Sequence, residues 1–368
     1  MTASKDLLFR PFDFGPLHLE NRLVMAPMTR GFSPNGVPGD DVAEYYRKRA
    51  AGGTGLIITE GTTVNHHVAT SDRNFPRFHG EDSLAGWKNV VDTVHAAGGK
   101  IMPQLWHVGM MRNAKKSDDP DTPSAGPSGM NVPGKVVGPG MTESDIQDVI
   151  AAFGKGAADA KAAGFDGIEI HGAHGYLIDQ FFWDGTNTRD DKWGGSLDKR
   201  VQFGVEVVKA CRAAVGPDFP VLIRVSQWKQ QDFTQKLTQN PTELEQFLGP
   251  LSDAGVDIFH ASTRRFWEPE FEGSNLNYAG WTKKITGKPT ITVGSVGLSG
   301  GDFIGAFQGQ GSEAAGLDEL LERMANDEFD LVAVGRALLA NPDWANLVRD
   351  GRDADIRDYA KESLVELV

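Results

Sequence analysis

Two histidines and a tyrosine lie close together in residues 168–176, which have the sequence Ile-Glu-Ile-His-Gly-Ala-His-Gly-Tyr. His171 and His174 offer two hydrogen-bond donors, and Tyr176 offers a proton source two residues further on. The apolar run before them is typical of a short β-strand, so the three side chains are expected at the end of one strand. Such a set could polarise an oxygen atom and protonate a neighbouring carbon.

The segments that must hold these residues follow a repeating order of helix and strand. Helical patterns end in Ala-Gly or Ala-Gly-Gly at residues 51–53, 97–99, 163–164 and 254–255, and a short apolar run follows each. Glycine just past a helix adopts the left-handed conformation that ends it. Helices are predicted at residues 145–163, 197–215, 242–254 and 317–326, with Thr242 and Glu245 at capping-box spacing. Strands are predicted at residues 23–26, 56–61, 101–105, 167–170, 221–225, 257–260, 290–294 and 331–334.

Eight such units predict a (β/α)₈ TIM barrel, formed by residues 1–368 as a single domain. Several strands are continuous apolar runs, as expected when helices cover a parallel sheet. The competing architecture is an open doubly wound sheet, which normally carries G-x-G-x-x-G after its first strand, and none follows residues 23–26. The irregular residues from about 108 to 140 predict a long loop insertion after the third strand, either a lid or binding loop or a solvated insertion.

The composition limits the classes of function. The chain has 37 basic and 50 acidic residues, a formal charge of -13 and a pI near 5.2, which argues against binding to nucleic acid or to anionic membranes. The single cysteine, Cys211, excludes an internal disulfide and a cysteine-ligated metal site. The chain has no leader pattern and no run of about 18 apolar residues, so we expect a cytoplasmic protein that does not span a membrane.

The carboxyl ends of the strands should form the active site of such a barrel. Gly294 and Ser295 follow the seventh strand, and Gly335 and Arg336 follow the eighth. Glycine lets backbone amides approach a phosphate, and arginine can pair with it, so these residues predict a phosphorylated cofactor or substrate. Either pair taken alone is more typical of an ordinary turn.

Gln104 and Arg224 lie at the ends of the third and fifth strands. An amide beside a fixed cation suits a heterocycle with an imide edge that gains negative charge on reduction, as flavin has. The alternatives are a salt bridge at the barrel rim for Arg224 and an ordinary hydrogen-bonded side chain for Gln104. The aromatic residues Trp106, Phe266 and Trp267 could wall a substrate pocket, although the last two could equally cap the barrel.

From Arg22 to about Arg349 the chain resembles the old yellow enzyme family of FMN-dependent ene-reductases. The matching strings are residues 22–30, 103–109 and 171–181, with Asn187, Arg189 and residues 194–196. Residues 226–232 depart from the family's usual Pro-containing sequence. This departure leaves the substrate preference open.

The resemblance implies FMN as the cofactor and gives each site residue a role. Thr29 would hydrogen-bond the flavin carbonyl next to N5, Gln104 would bind the pyrimidine edge, and Arg224 would lie near N1. Contacts with FMN are implied for Pro27, Met28, Thr29, Gly61, Gln104 and Arg224, and contacts with its phosphate for Gly294, Ser295, Gly335 and Arg336. His171 and His174 would hold a substrate carbonyl oxygen, and Tyr176 would be the proton donor.

The implied reaction has two halves. NADH or NADPH reduces FMN, which then passes hydride to the β carbon of an α,β-unsaturated carbonyl compound or nitroalkene while Tyr176 protonates the α carbon. The predicted partners are a nicotinamide and an activated alkene, with no nucleic acid, no membrane and no metal, and the chain is expected as a monomer or homodimer. The alternatives are an FMN-dependent dehydrogenase or demethylase of the same barrel family, a non-enzymatic FMN-binding protein, and a metal-dependent barrel hydrolase with His171 and His174 as ligands.

Overall fold

Eight parallel strands close into a barrel in the computed structural model, which describes residues 3–300, Gly305 and residues 309–368. Each strand pairs with the next along the chain, and the eighth pairs with the first. The barrel strands are β1 (Leu23–Met25), β2 (Leu56–Thr63), β3 (Lys100–Trp106), β4 (Ile168–His174), β5 (Val221–Lys229), β6 (Ile258–Ser262), β7 (Thr290–Val293) and β8 (Leu331–Val334). The predicted (β/α)₈ barrel is confirmed, and each predicted strand overlaps an observed one.

Helices connect the strands and surround the barrel. They are α1 (Asp40–Ala51), α2 (Glu81–Ala96), α3 (Glu143–Ala163), α4 (Leu177–Phe182), α5 (Leu197–Arg200), α6 (Gln202–Val215), α7 (Pro241–Asp253), α8 (Tyr278–Thr286), α9 (Asp318–Ala325), α10 (Arg336–Ala340) and α11 (Trp344–Arg349). Short 3₁₀ turns lie at Lys5–Leu7, Pro34–Gly36, Gly109–Met111, Ala114–Lys116, Asp353–Asp355 and Lys361–Leu364. Across the described residues, none of the helices combines the length and the apolar character that a membrane span requires.

The helix ends agree with the sequence patterns in part. Gly164 ends α3 with φ 89°, a left-handed conformation that suits glycine. The capping box predicted at Thr242 and Glu245 is wrong, because the N-cap of α7 is Asn240. Its side chain accepts a hydrogen bond of 3.0 Å from the backbone N–H of Glu243, and Pro241 takes the first helical position, where its missing N–H costs nothing. The helix predicted over residues 197–215 is divided into α5 and α6.

Two apolar clusters form the core. Alternate residues of a strand divide between them, so that Leu222 of β5 belongs to the inner cluster while Val221 and Ile223 belong to the outer one. A hairpin of Phe12–Phe14 and Leu17–Leu19 adds side chains to the inner cluster. The barrel is therefore filled by apolar side chains and is not an open pore.

The long insertion predicted after β3 is present and is organised around Arg112. The guanidinium of Arg112 donates hydrogen bonds of 2.7 Å to the carbonyl oxygen of Thr122 and to Oγ of Ser117. Further along, Met130–Val132 and Lys135–Val136 form a small antiparallel hairpin. The insertion thus has hydrogen-bonded structure of its own.

Candidate active site

A cavity of about 640 Å³ opens at the carboxyl ends of the barrel strands. Cavities of this size hold small molecules and cofactors. The three predicted catalytic residues, His171, His174 and Tyr176, all line it. Trp106 lines it as well, together with all the predicted cofactor contacts, namely Pro27, Met28, Thr29, Gly61, Gln104, Arg224, Gly294, Ser295, Gly335 and Arg336.

Phe266 and Trp267 do not line this cavity, so the structure does not agree with their assignment to the substrate pocket. Phe266 is 6% exposed and packs in the outer core, with the ring of Trp267 edge-on at 5.1 Å. Its backbone N–H donates to the carbonyl oxygen of Gly294 at 3.1 Å. Burial of apolar surface draws this loop inward, where Phe266 supports the Gly294 turn instead of facing a ligand.

Several residues that line the cavity were missed by the sequence analysis. Some come from the loop after β2 and from the insertion, and others from the extended end of β5 and from the last residues of the chain. They include Phe75, Met111, Asn113, Lys116, Trp228, Gln230, Tyr359 and Leu364. The one signal that could have revealed Trp228 and Gln230 is the unusual sequence of residues 226–232.

Tyr176 lies in an aromatic corner of the cavity. Its ring meets Trp106 edge-on at 4.9 Å and His171 edge-on at 5.0 Å. Burial raises the pKa of the Tyr176 hydroxyl, and a hydrogen bond with the side chain of Gln230 lowers it by a smaller amount. The phenol therefore stays protonated at neutral pH and can act as an acid.

A buried ion pair holds the turn that carries Tyr176. Asp179 Oδ2 accepts a hydrogen bond of 2.7 Å from the backbone N–H of Gly175, and its Oδ1 lies 2.5 Å from Nζ of Lys229. Asp179 and Lys229 are both fully buried. Because β5 continues to Lys229, this contact fastens the start of α4 to the end of a barrel strand.

The two histidines face each other at the end of β4. Their ring centroids are 5.1 Å apart and their planes are nearly perpendicular, at 87°. Burial, followed by the positive charge of Arg224, holds the pKa of both His171 and His174 well below the usual range. Both rings are therefore neutral at pH 7, and each has one N–H to donate.

Gln104 is oriented by a buried carboxylate that the sequence analysis did not consider. Its Nε2 donates to Oε1 of Glu169 at 2.8 Å, and Oε2 of Glu169 lies 2.7 Å from Nδ1 of His260. Glu169 and His260 are both fully buried. The sequence contained one signal of these contacts, because Glu169 is a charged residue within an apolar strand. Burying a charge without partners is costly, so such a residue is expected to have polar neighbours.

Arg224 provides an unpaired donor in the cavity wall. Its Nε is buried and has no hydrogen-bond partner within the described residues. Burial lowers the pKa of Arg224 to about 10, while the charge of Glu169 opposes that shift, so the guanidinium remains charged at pH 7. A buried charged donor without a partner requires an acceptor, which a bound ligand would supply.

The loops after β7 and β8 meet in the part of the cavity wall that contains the predicted phosphate contacts. Ser295 Oγ accepts a hydrogen bond of 3.1 Å from Nη2 of Arg336, and Arg336 Nη1 donates to Oγ of Ser312 at 2.9 Å. Gly294 has φ 147°, and a Cβ there would lie 2.7 Å from Oγ1 of Thr263. Only glycine fits this turn, which lets its backbone approach an anion closely.

Glu60 holds the loop that contains Thr29. Its Oε2 accepts hydrogen bonds from the backbone N–H groups of Arg30 at 2.8 Å and Gly31 at 3.0 Å. Burial raises the pKa of Glu60 to about 7, and the two backbone donors oppose this shift. The sequence analysis missed Glu60, which lies in β2 just before Gly61.

The charges around the cavity are mostly positive although the chain is acidic. Five of the six charged residues that line it are basic: Arg30, Lys116, Arg224, Arg264 and Arg336, against Asp72. An anionic ligand is favoured by such a lining. Among the residues that the structure describes, no three His, Cys, Asp or Glu side chains are arranged to hold a metal ion.

The residues present fit FMN. The unpaired Nε of Arg224 and the oriented amide of Gln104 suit the polar edge of a flavin, and the turn at Gly294 with Arg336 suits a phosphate. Gly61 serves another contact as well, because a Cβ there would lie 2.6 Å from Cε3 of Trp106. A side chain at this position would force Trp106, which lines the cavity, to move.

Comparisons with known proteins show which family the chain belongs to. The family model described as the NADH:flavin oxidoreductase / NADH oxidase family matches residues 7–304. The chain is 31% identical over 363 residues to a metal reductase from Desulforamulus reducens, covering 95% of this chain but only 50% of that protein, so it spans about half the length of this relative. It is 32% identical over 372 residues to 12-oxophytodienoate reductase 7 from Oryza sativa subsp. japonica, covering 97% of this chain and 90% of the relative.

Among solved structures, morphinone reductase in complex with tetrahydroNAD superposes with a TM-score of 0.81 at 28% identity. The match covers 97% of this chain and 93% of that structure. The family match and the likeness to the plant reductase each cover most of the chain. The chain therefore belongs to the NADH:flavin oxidoreductase / NADH oxidase family, the old yellow enzyme family that its motifs resemble, and this membership implies FMN as cofactor.

Proposed function

We propose that this protein is an NAD(P)H-dependent ene-reductase that reduces α,β-unsaturated carbonyl compounds or nitroalkenes. The observation that carries the proposal is the joint placement of His171, His174 and Tyr176 on the wall of a basic cavity whose remaining residues fit FMN. FMN, when bound, supplies the hydride that it takes from the nicotinamide. The substrate must therefore present an oxygen to the histidines and a carbon to the tyrosine.

The histidine pair would bind the substrate oxygen. Both rings are neutral, so each can donate one hydrogen bond without the cost of burying a second positive charge beside Arg224. Negative charge builds up on the substrate oxygen as the alkene accepts hydride. Fixed donors aimed at that oxygen, with the Arg224 cation nearby, stabilise the charge more than bulk water would.

Tyr176 would deliver the proton. Its raised pKa keeps the hydroxyl protonated at working pH, and a weak acid suits a strongly basic carbon. After transfer, the hydrogen bond with Gln230 would stabilise the phenolate. Packing against Trp106 and His171 holds the ring in place through this step.

We also propose that residues 1–368 form one FMN-binding domain. The family match ends at residue 304, yet the barrel closes only through β8, and Tyr359 and Leu364 line the cavity. We further propose that the protein acts in the cytoplasm as a monomer or homodimer. The single cysteine of the chain, Cys211, is free, and a chain without disulfide bonds is typical of a reducing compartment.

Stopped-flow spectroscopy of the two half-reactions tests the proposal. NADH or NADPH should bleach the FMN-loaded protein, and 2-cyclohexenone, a maleimide or a nitroalkene should restore the oxidised spectrum. Tyr176→Phe should retain FMN and its reduction by nicotinamide but slow alkene reduction about 10²- to 10⁴-fold, the usual contribution of a general acid.

Tyr45→Phe is the matched control, because it removes a buried hydroxyl that has no partner within the described residues and lies outside the cavity. This variant should match the wild type in both half-reactions. Equal slowing of both half-reactions in Tyr176→Phe would remove the assigned role. Reduced protein that no activated alkene reoxidises would overturn the proposed activity.

A further inference from the structure

His174 is held on three sides by residues of β5 and β6. Its backbone N–H donates to Oγ of Ser226 at 2.9 Å, and its ring stacks on Trp228 with centroids 4.4 Å apart. Its Nε2 lies 2.8 Å from Oγ of Ser262. The backbone of His174 has φ 64°, a conformation that is strained for a residue other than glycine and persists only where the surroundings enforce it. These contacts fix both the position and the plane of the ring.

The contact with Ser262 also decides which ring nitrogen carries the proton. A neutral imidazole has one N–H, and the other nitrogen is an acceptor. The hydroxyl of Ser262 has no other hydrogen-bond partner in the part of the chain that the structure describes. If Nε2 of His174 carried the proton, the Ser262 hydroxyl hydrogen would have no acceptor among the described residues. If Ser262 donates instead, its hydrogen is used and the imidazole proton must lie on Nδ1.

His171 is fixed in the complementary way. Its Nδ1 faces the backbone N–H of Ala173 at 3.4 Å, so Nδ1 acts as the acceptor and Nε2 carries the proton. The two histidines therefore present N–H groups from different ring positions. In each ring one nitrogen contacts the protein, Nδ1 in His171 and Nε2 in His174. The other nitrogen is available to a ligand in the cavity that both rings line.

We propose that Ser262 is a positioning residue that sets His174 as the Nδ1–H tautomer and so makes this nitrogen a hydrogen-bond donor to a ligand oxygen. Trp228 supports the same arrangement, because its indole Nε1 donates to the carbonyl oxygen of Ser262 at 3.2 Å while its ring covers His174. The donor role rests on the proposed function, but the tautomer does not. The two parts can therefore fail separately.

Nitrogen NMR of the FMN-loaded protein labelled with ¹⁵N-histidine tests the tautomer directly. In the wild type, His174, assigned by loss of its signals in His174→Asn, should have a protonated Nδ1 and an unprotonated Nε2 throughout pH 6 to 8. This measurement needs no variant of Ser262. A protonated Nε2 in the wild type would overturn the inference.

Ser262→Ala should shift His174 towards the Nε2–H form, and Ser262→Thr, which keeps the hydroxyl, should restore Nδ1–H. Ser226→Ala is the matched control, because Ser226 contacts the backbone N–H of His174 and not its ring. A purely structural role of Ser262 would leave the tautomer of Ser262→Ala unchanged, and that result would contradict the proposal.

Binding of 4-chlorophenol, followed by the absorption change of bound FMN, tests the donor role. Loss of one correctly placed hydrogen bond should lower the affinity for 4-chlorophenol about tenfold in Ser262→Ala, and Ser262→Thr should restore that affinity. A tautomer shift without any change in phenol affinity would refute Nδ1 as the donor. A protein that behaves as expected in both measurements but reduces no activated alkene would retain the inference and lose the proposed function.

Discussion

Replacement of Glu60 by glutamine should make the protein less sensitive to pH. Glu60 is buried and accepts two backbone hydrogen bonds through one oxygen, which a glutamine carbonyl can also accept. Burial raises the pKa of Glu60 from 4.5 to about 7. Below about pH 4.5 this carboxyl is protonated in both the folded and the unfolded chain, and it does not affect stability.

Between the two pKa values Glu60 keeps its proton in the folded protein but has lost it in the unfolded chain, so the free energy of unfolding falls as pH rises. Above about pH 7 this loss of stability is complete. A shift of this size corresponds to about 3 kcal/mol. The free energy of unfolding of Glu60→Gln minus that of the wild type should therefore grow by roughly 2 to 3 kcal/mol between pH 5 and pH 8.

Urea unfolding at several pH values, with saturating FMN in each sample, measures this difference. Comparison with the wild type at each pH cancels the titration of other groups. Glu245→Gln is the control, since Glu245 is exposed, and its difference from the wild type should stay constant. A Glu60→Gln difference that is also constant from pH 5 to pH 8 would refute the reasoning.

Three further changes have defined outcomes. Gly61→Ala should displace Trp106, because the new Cβ would lie 2.6 Å from the indole ring. We therefore expect weaker FMN binding in a fluorescence titration, and an unchanged FMN affinity would contradict the close contact. Lys229→Met should lower the free energy of unfolding by about 3 to 5 kcal/mol by leaving a buried carboxylate unpaired, and adding Asp179→Asn should recover most of the loss in urea unfolding. Arg336→Ala should lower FMN affinity by about 10- to 100-fold through loss of a charge-assisted contact, and full FMN retention through dialysis would tell against a phosphate at this end.

The sequence predicted the barrel well because its signals are local. A continuous apolar run such as Leu331–Val334 and a helix stop such as Gly164 report the conformation of their own neighbourhood. The rule that strand ends meet on one rim then placed His171 and Gln104 in the same cavity. Each of these steps needs only the order of elements along the chain.

The remaining features depend on pairs of residues that are distant in sequence. Nothing near Lys229 shows that its partner is Asp179, and nothing near Phe266 shows that its loop folds into the core and away from the cavity. The cap at Asn240 was missed for another reason. Asn240 and Thr242 are both polar residues that can cap a helix, and the choice between them depends on where the helix begins. Side-chain burial and pairing are tertiary properties, so they could not be read from spacing.

Closure of the barrel through β8 and β1 also sets the order of events during synthesis. Met25 pairs with Val334, so one edge of the first strand has no neighbour until about 300 further residues have been made. At roughly 5 to 20 residues per second this takes about 15 to 60 s. Throughout that interval the part of the cavity wall formed by Gly335 and Arg336 is absent, and the open edge of β1 can pair with other strands. A complete cavity, with residues from both β1 and β8 in its wall, therefore forms only after nearly the whole chain has been made.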